Sequence, residues 1–372
     1  MINFTINVNI YDKKGGATEL YAKIKEFGYK KPLVICDSFF LKNKYIKKSI
    51  KKIKYVKYIQ FYKEPTYQQL DKEIKKIRII KKIDCIIGIG GGSALDFAKG
   101  IALLYKNSGP SIKYMGFPKN INQPLPVIAI PTTTSTGSEI IYNAVFTDEK
   151  TNKKLGINYK KNIPVLSILD LKLIRNSTKE ILYQSAIASL MRSIETFTSV
   201  DSNFITKFYA KESFQLIYNS LIKITKNDNF YRRLQWGGIF SMFSLSNSSG
   251  GPCGAVNYYL SSNKNISQAL SYNFSAIEFF NYNVENNFFS YCDLINKRQN
   301  KINSKIFIKK IRNVIKLNSK KIYEAKNIIK KDKKIEISLF NFFKKYKFLP
   351  LKKNPINIDQ KSLKKIIHKI IQ

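Results

Sequence analysis

The sequence predicts a doubly wound α/β domain with a parallel sheet over residues 1–174, followed by an all-α domain over residues 175–372. Three observations carry this expectation. Short β-branched runs alternate with helical periodicities as far as Asp170, the pattern of βαβ units. One run ends in three successive glycines, Gly90, Gly91 and Gly92, and leads straight into a helical pattern. From Ser177 onward only long helical periodicities remain.

The elements follow in order. Residues 18–28 form a short amphipathic helix, and Lys31 to Asp37 is a strand ending in an acid. A carboxylate at a strand's C-terminal end suits ribose hydroxyls, and it equally suits a turn that caps the next helix. Residues 40–53 are Lys-rich and helical, 54–61 a strand, and 66–82 an amphipathic helix. Cys85 to Ile89 is apolar and β-branched, as in a strand buried on both faces. Gly90, Gly91 and Gly92 then remove three β-carbons, which lets backbone come close to a ligand. Ser93 is a good N-cap, with Ala94, Leu95, Phe97, Ala98, Ile101 and Leu104 at helical spacing after it. Strand, glycine turn and helix N-terminus together can make an anion site; a plain αβ turn is the alternative. Asp96 and Lys99 on the first helical turns favour the site. The spacing matches neither the G-x-G-x-x-G fingerprint nor a Walker A loop.

After a loop around Ser108 to Pro118, Pro126 to Ile130 is a strand. It feeds Pro131-Thr-Thr-Thr-Ser-Thr-Gly-Ser-Glu139, a run dense in hydroxyls that can hold phosphate or ribose oxygens without fixed charge. Residues 141–157 read as a hairpin and Pro164 to Leu169 as a strand. Ser177-Thr-Lys-Glu180 resembles a capping box, opening helices over 181–198, 203–225 and 228–244. Ser-Gly-Gly-Pro-Cys-Gly (249–254) interrupts the helices.

Composition narrows the classes. The chain is 44% hydrophobic and 13% aromatic, which describes a globular protein. Its net charge of +40 comes from Lys spread through nearly every segment beside abundant Ile, Asn, Phe and Tyr, a pattern of AT-biased codon usage. No basic tail, RNA-binding signature or zinc-finger spacing accompanies it, so nucleic acid is not an expected partner. Cys36, Cys85, Cys253 and Cys292 form no C-x-x-C, which suits a reduced, cytoplasmic protein. No apolar run approaches the ~18 residues of a membrane span, and no membrane role is expected.

Gly-Gly-Gly-Ser-Ala-Leu-Asp-Phe-Ala-Lys (90–99) and Pro-Thr-Thr-Thr-Ser-Thr-Gly-Ser-Glu (131–139) together resemble the iron-containing (group III) alcohol dehydrogenase family. Glu64-Pro-Thr, Lys154-Leu-Gly-Ile, Ile168-Leu-Asp170 and Ser193-Ile-Glu195 extend the likeness over roughly residues 30–260. The resemblance implies the fold of dehydroquinate synthase-like and iron-dependent alcohol dehydrogenase-like proteins, with NAD(P) and a metal in a cleft. It implies that Gly90, Gly91, Gly92 and Ser93 hold a pyrophosphate, with Asp96 alongside. Thr132, Thr133, Thr136 and Ser138 would line the cofactor, Lys154 would reach it, and Asp37 would favour NAD over NADP. Thr134 and Ser135 replace the family's usual Ala and Gly.

The family's metal ligands do not carry over. Positions matching its Asp, His, His and last His are Ala188, Arg192, Gly254 and Gln268, and its non-ligand His matches Tyr258. The chain's single histidine is His368, near the C-terminus. No catalytic metal is therefore expected. Arg192 could stabilise an oxyanion or hold an anionic substrate, with Tyr258 as proton donor. The competing readings are an Arg192–Glu195 ion pair and a packed Tyr258 ring. The function expected is an NAD(P)-dependent, metal-independent oxidoreductase of a small, anionic alcohol or aldehyde. The alternative is a non-catalytic descendant that keeps the fold and nucleotide binding. Partners reduce to a small-molecule substrate and, at most, a second copy of the chain.

Overall fold

The computed structural model describes residues 4–61, 64–134, 136–151, 154–264 and 266–372. The chain divides into two compact units, Ile6–Ser177 and Thr178–Gln372, the latter joined by Phe4 and Thr5.

The first unit runs β1 (Asn9–Asp12), α1 (Leu20–Glu26), β2 (Pro32–Asp37), α2 (Lys44–Ile50), β3 (Tyr55–Ile59), α3 (Tyr67–Ile77), β4 (Cys85–Gly90), α4 (Gly92–Lys106), β5 (Val127–Pro131), β6 (Asn143–Thr147), β7 (Lys154–Asn158), β8 (Leu166–Leu169) and α5 (Leu171–Ile174). Six strands make a parallel sheet in the order β1-β8-β5-β4-β2-β3, and β6 and β7 pair as a separate antiparallel hairpin. Alternate side chains leave a strand on opposite faces. Leu33, Ile35 and Ile86 accordingly pack with Leu70 of α3 and Phe97 and Ile101 of α4. Val34, Cys36, Ile87 and Ile89 pack with Leu20 and Ile24 of α1 and Ile46 and Ile50 of α2. Each such burial is worth about 1.5–3 kcal/mol, which is why these strands read as unbroken apolar runs.

That division fixes where a ligand can enter. The connection leaving β2 runs through α2 on one face, and the connection leaving β4 runs through α4 on the other. Since β2 and β4 are neighbours, the chain parts in two directions at their C-terminal ends. Such a switch point is the usual ligand crevice of an open parallel sheet.

Several boundaries differ from the expectations. The edge strand β1 was not foreseen; it is four residues long and only partly buried, so its alternation is too short to register. Thr66 caps α3, which stops at Ile77 instead of 82. The first helix begins as a 3-10 turn over Gly16–Glu19, and the 40–53 segment shortens to α2 behind its cap Asn43. Ser93 is not the cap of α4. Gly91 is the N-cap and the helix already runs at Gly92, because Gly91 is extended and its carbonyl accepts from the amide of Leu95 (3.1 Å).

The second unit is helical: α6 (Lys179–Thr198), α7 (Phe204–Ile222), α8 (Asp228–Ser246), α9 (Pro252–Asn263), α10 (Gln268–Glu285), α11 (Lys301–Ile315), α12 (Ser319–Lys330), α13 (Ile335–Lys345) and α14 (Gln360–Ile371). Thr178, not Ser177, caps α6 by accepting from Ile181 (3.3 Å). Helix α6 is buried on almost every side and packs against α7, α8 and α10. Its small hydroxyl residues allow this: Ser193 and Thr196 turn their O–H groups onto the carbonyls of Leu190 (2.7 Å) and Arg192 (3.0 Å), which satisfies those hydroxyls within the helix. In α14 the apolar face of Leu363, Ile366, Ile367 and Ile370 is buried while Lys361, Lys364, Lys365 and Lys369 meet water, so the charge there is a solvated face. Among the described residues no helix is long and apolar enough to cross a membrane, and all four cysteines are buried free thiols.

Candidate functional site

The C-terminal ends of β2, β4 and β5 bring the glycine turn, Asp37 and the threonine loop together. Gly90 has φ +151°, and a β-carbon there would stand 2.6 Å from Ala94 Cβ and 3.1 Å from Asp37 Cβ. The fold itself therefore demands glycine at 90. Gly92 is similar, since its β-carbon would meet Thr136 Cγ2 at 2.9 Å. Gly91 is different. Its φ is −76°, and an added β-carbon would find only Thr133 Cγ2 at 3.5 Å and Thr133 Oγ1 at 4.0 Å. Nothing in the packing requires glycine at 91, since a β-carbon there would make only ordinary contact with Thr133.

Thr133 completes that cradle. Its hydroxyl is buried and has no hydrogen-bond partner among the described residues. A buried orphan hydroxyl costs about 1–3 kcal/mol and calls for an explanation. The loop that carries it is held to the turn by the amide of Thr132, which donates to Gly90 O (3.0 Å), and by Ser177 Oγ, which donates to Thr132 O (2.8 Å). Gly91 opens α4, a fifteen-residue helix, so free N–H groups and the positive dipole end point into the cradle. The helix N–H donors and the orphan hydroxyl fit a dinucleotide pyrophosphate. Ser135 lies outside the described residues.

Asp37 performs the capping role: Oδ1 accepts from the amide of Phe39 (3.0 Å). Its Oδ2 receives no protein hydrogen bond among the described residues and remains available to a ribose hydroxyl. Burial pushes the Asp37 carboxyl above its ordinary value, with the Phe39 amide opposing.

Asp96 and Ser138 lie beneath the cradle, bonded to each other. Asp96 also accepts from the amide of Val145 (3.0 Å) and pairs with Lys99 (3.1 Å). Lys99 is completely buried and donates to the carbonyls of Ile141 and Asn143, tying α4 to the β6–β7 hairpin. Lys154 is buried against Glu64. Burial lowers the pKa of both lysines, with Asp96 and Glu64 respectively holding the charge in place. The family resemblance implies Asp96, Ser138 and Lys154 as cofactor contacts; the structure gives each a protein partner.

In the helical unit Gly254, one of the positions aligned with metal ligands, meets Glu195, which the sequence offers as part of the Ser193-Ile-Glu195 likeness and as an ion-pair partner of Arg192. Glu195 Oε1 accepts the amides of Gly251 (3.0 Å), Cys253 (2.9 Å) and Gly254 (3.3 Å) at the start of α9, and Tyr272 of α10 donates to Oε2. Burial pushes the Glu195 carboxyl up and Tyr272 well up. Arg192, one turn earlier on α6, donates to Ser241 (3.1 Å) and Ser189 (3.4 Å). The Tyr258 ring stacks on Phe342 at 6.5 Å. Ala188 precedes Arg192 by one turn, and Gln268 precedes Tyr272 by one turn. None of these positions offers the imidazole or carboxylate set that iron or zinc requires. Among the described residues no group of three His, Cys, Asp or Glu side chains could hold a metal, and His368 is on exposed α14, paired with Glu336 (2.9 Å). The donor set does not fit a metal ion.

Residues 7–171 match the family model for iron-containing alcohol dehydrogenase. That stretch, less than half of the chain, is similar to the family. The chain is 31% identical over 221 residues to alcohol dehydrogenase 4 of Schizosaccharomyces pombe, covering 58% of this chain and 52% of that one. It is 34% identical over 134 residues to sulfoacetaldehyde reductase of Bilophila wadsworthia, covering 36% of this chain and 35% of the other. The match thus spans about half the length of the first of these relatives and about a third of the second. The fold is that of a solved sulfoacetaldehyde reductase from Bifidobacterium kashiwanohense in complex with NAD+, with TM-score 0.81 at 19% identity over 100% of this chain and 99% of that one. The glycine and threonine motifs that carry the likeness are present apart from Thr134 and Ser135, while the positions aligned with metal ligands carry Ala, Arg, Gly and Gln.

Proposed function

We propose that this protein is an NAD-dependent oxidoreductase of a small anionic aldehyde or alcohol, working without a metal ion. The observation that carries the reading is the cradle over Gly91, where the packing leaves room for a β-carbon and Thr133 buries a hydroxyl with no partner among the described residues. The backbone N–H groups at Gly91, Gly92 and Ser93 hold the pyrophosphate, and Thr133 satisfies its hydroxyl on the same group. Thr132 and Thr136 border the cofactor, and Asp96, Ser138 and Lys154 stiffen the floor beneath it. Asp37 accepts a ribose hydroxyl through Oδ2 and repels a 2′-phosphate, favouring NAD over NADP. NAD(H) supplies the hydride.

Arg192 carries a permanent cation at a position aligned with a metal ligand. Its planar guanidinium suits a carboxylate or sulfonate bidentately, or the oxygen on which negative charge develops. Similarity to two sulfoacetaldehyde reductases supports an anionic aldehyde as substrate class. Tyr258 is the proposed proton donor, and a homodimer and a cytoplasmic location accompany the proposal. One observation favours a second reading, a nucleotide-binding protein without turnover: every aligned ligand position lacks a metal donor, and the Tyr258 ring is packed on Phe342.

Calorimetric titration of NADH with and without Fe²⁺ or Zn²⁺, followed by a screen of carboxylated and sulfonated aldehydes, tests the proposal. Metal-independent binding with turnover of an anionic aldehyde, lost in Arg192→Met while folding is kept, is expected. Binding without turnover of any aldehyde leaves the second reading; binding or turnover that needs added metal overturns the first.

A further inference from the structure

Directly after Asp37 the chain makes one 3-10 turn, Ser38–Phe40, and this turn separates two adjacent aromatic rings. Phe40 enters the core at 5% exposure, whereas Phe39 is 70% exposed. The two rings meet edge-on at 5.1 Å and 87°, so the buried ring braces the exposed one. The Phe39 amide is fixed by Asp37 Oδ1 (3.0 Å), which sets where the turn starts. Leu41, 47% exposed, adds a second apolar side chain to the same uncharged run, Ser38 to Leu41. In a chain that turns lysine to water almost everywhere, this run presents a bare aromatic ring instead.

Its place in the fold makes the exposure informative. Asp37 Cβ lies 3.1 Å from where a β-carbon on Gly90 would stand, so the Phe39 turn springs from the rim of the glycine cradle at the β2/β4 switch point. A nucleoside whose ribose is held by Asp37 carries its base outward from that rim. Every base offers a π-face, and an exposed, braced aromatic ring is what such a face stacks on.

We propose that Phe39 is the stacking platform for the adenine ring of NAD(H). The proposal rests on the reading of the glycine cradle as a dinucleotide site and adds the residue that grips the base. Stacking of this kind is worth about 5- to 150-fold in affinity.

The test titrates NADH, ADP-ribose and nicotinamide mononucleotide into the full chain, as wild type, Phe39→Ala and Phe39→Trp. Because Phe39 is mostly exposed, the variants should melt as the wild type does. The expected result is that Phe39→Ala weakens NADH and ADP-ribose about 5- to 150-fold, leaves nicotinamide mononucleotide unchanged, and is rescued by Phe39→Trp. Wild-type affinity for NADH and ADP-ribose in Phe39→Ala overturns the platform while leaving the cradle intact. Equal weakening of all three ligands also overturns it, since that marks a general disturbance of the turn. Failure of the wild type to bind any of them overturns the dinucleotide reading itself.

Discussion

The buried hydroxyl of Thr133, unpartnered among the described residues, stands 4.0 Å from the point where a β-carbon on Gly91 would be, with Thr133 Cγ2 at 3.5 Å. The packing leaves room for a β-carbon at Gly91 and excludes one at Gly90. Gly91→Ala should fold normally and lose NADH affinity by at least about tenfold, a cost of ~1.4 kcal/mol. Gly90→Ala should lose stability, because φ +151° and a 2.6 Å approach to Ala94 exclude a β-carbon. Thermal melts and NADH titrations of the pair check both halves, and unchanged NADH affinity in Gly91→Ala would remove the pyrophosphate from the cradle.

Thr133→Val should move stability and binding in opposite directions. Removing a buried hydroxyl that has no partner relieves its desolvation cost, so the ligand-free protein should gain about 1 kcal/mol. The same change deletes a donor to the cofactor and should weaken NADH. Chemical denaturation without NADH and calorimetry with it separate the effects; a loss of stability would mean the hydroxyl is satisfied in the free protein.

Asp37 should make cofactor choice depend on pH. Burial raises its carboxyl above the ordinary aspartate value of 3.8, so on acidification it takes up a proton earlier than a free aspartate. Protonation removes the charge that repels a 2′-phosphate. The preference for NADH over NADPH should therefore shrink as pH falls, with a midpoint above 3.8. Asp37→Ser should show little preference at any pH, and a wild-type preference in that variant would assign selectivity elsewhere.

Glu195 should matter for stability through both its bonds and its charge. Glu195→Ala strands three buried amides and the Tyr272 hydroxyl and should cost about 3–5 kcal/mol. Burial raises the Glu195 carboxyl above 4.5, so the native state keeps the proton where the unfolded chain has released it. Wild-type stability should thus fall as pH rises from about 4.5 through the raised value, relative to Glu195→Gln, which cannot ionise. Urea unfolding of both across that range reads the difference, and parallel curves would show that the carboxylate's partners hold its pKa at the ordinary value.

The primary structure by itself determined the architecture and the two loops of the cradle. Both rest on local signals: β-branched runs buried on two faces, glycines where a β-carbon is excluded, and hydroxyls concentrated after a strand. The mismatch at Ala188, Arg192, Gly254 and Gln268 was equally legible, because a missing imidazole is a fact of composition. Only the tertiary structure decided which glycine the packing requires, since Gly90, Gly91 and Gly92 differ in what their absent β-carbons would touch. It likewise turned Asp96 and Ser138 toward each other, moved the cap of α4 from Ser93 to Gly91, and made Glu195 the hub of α6, α9 and α10. The physical reason is range. Periodicity and caps are settled within a few residues, but a carboxylate's partner is settled by chain 42 to 77 residues away, as for Asp96 with Ser138 and Glu195 with Tyr272.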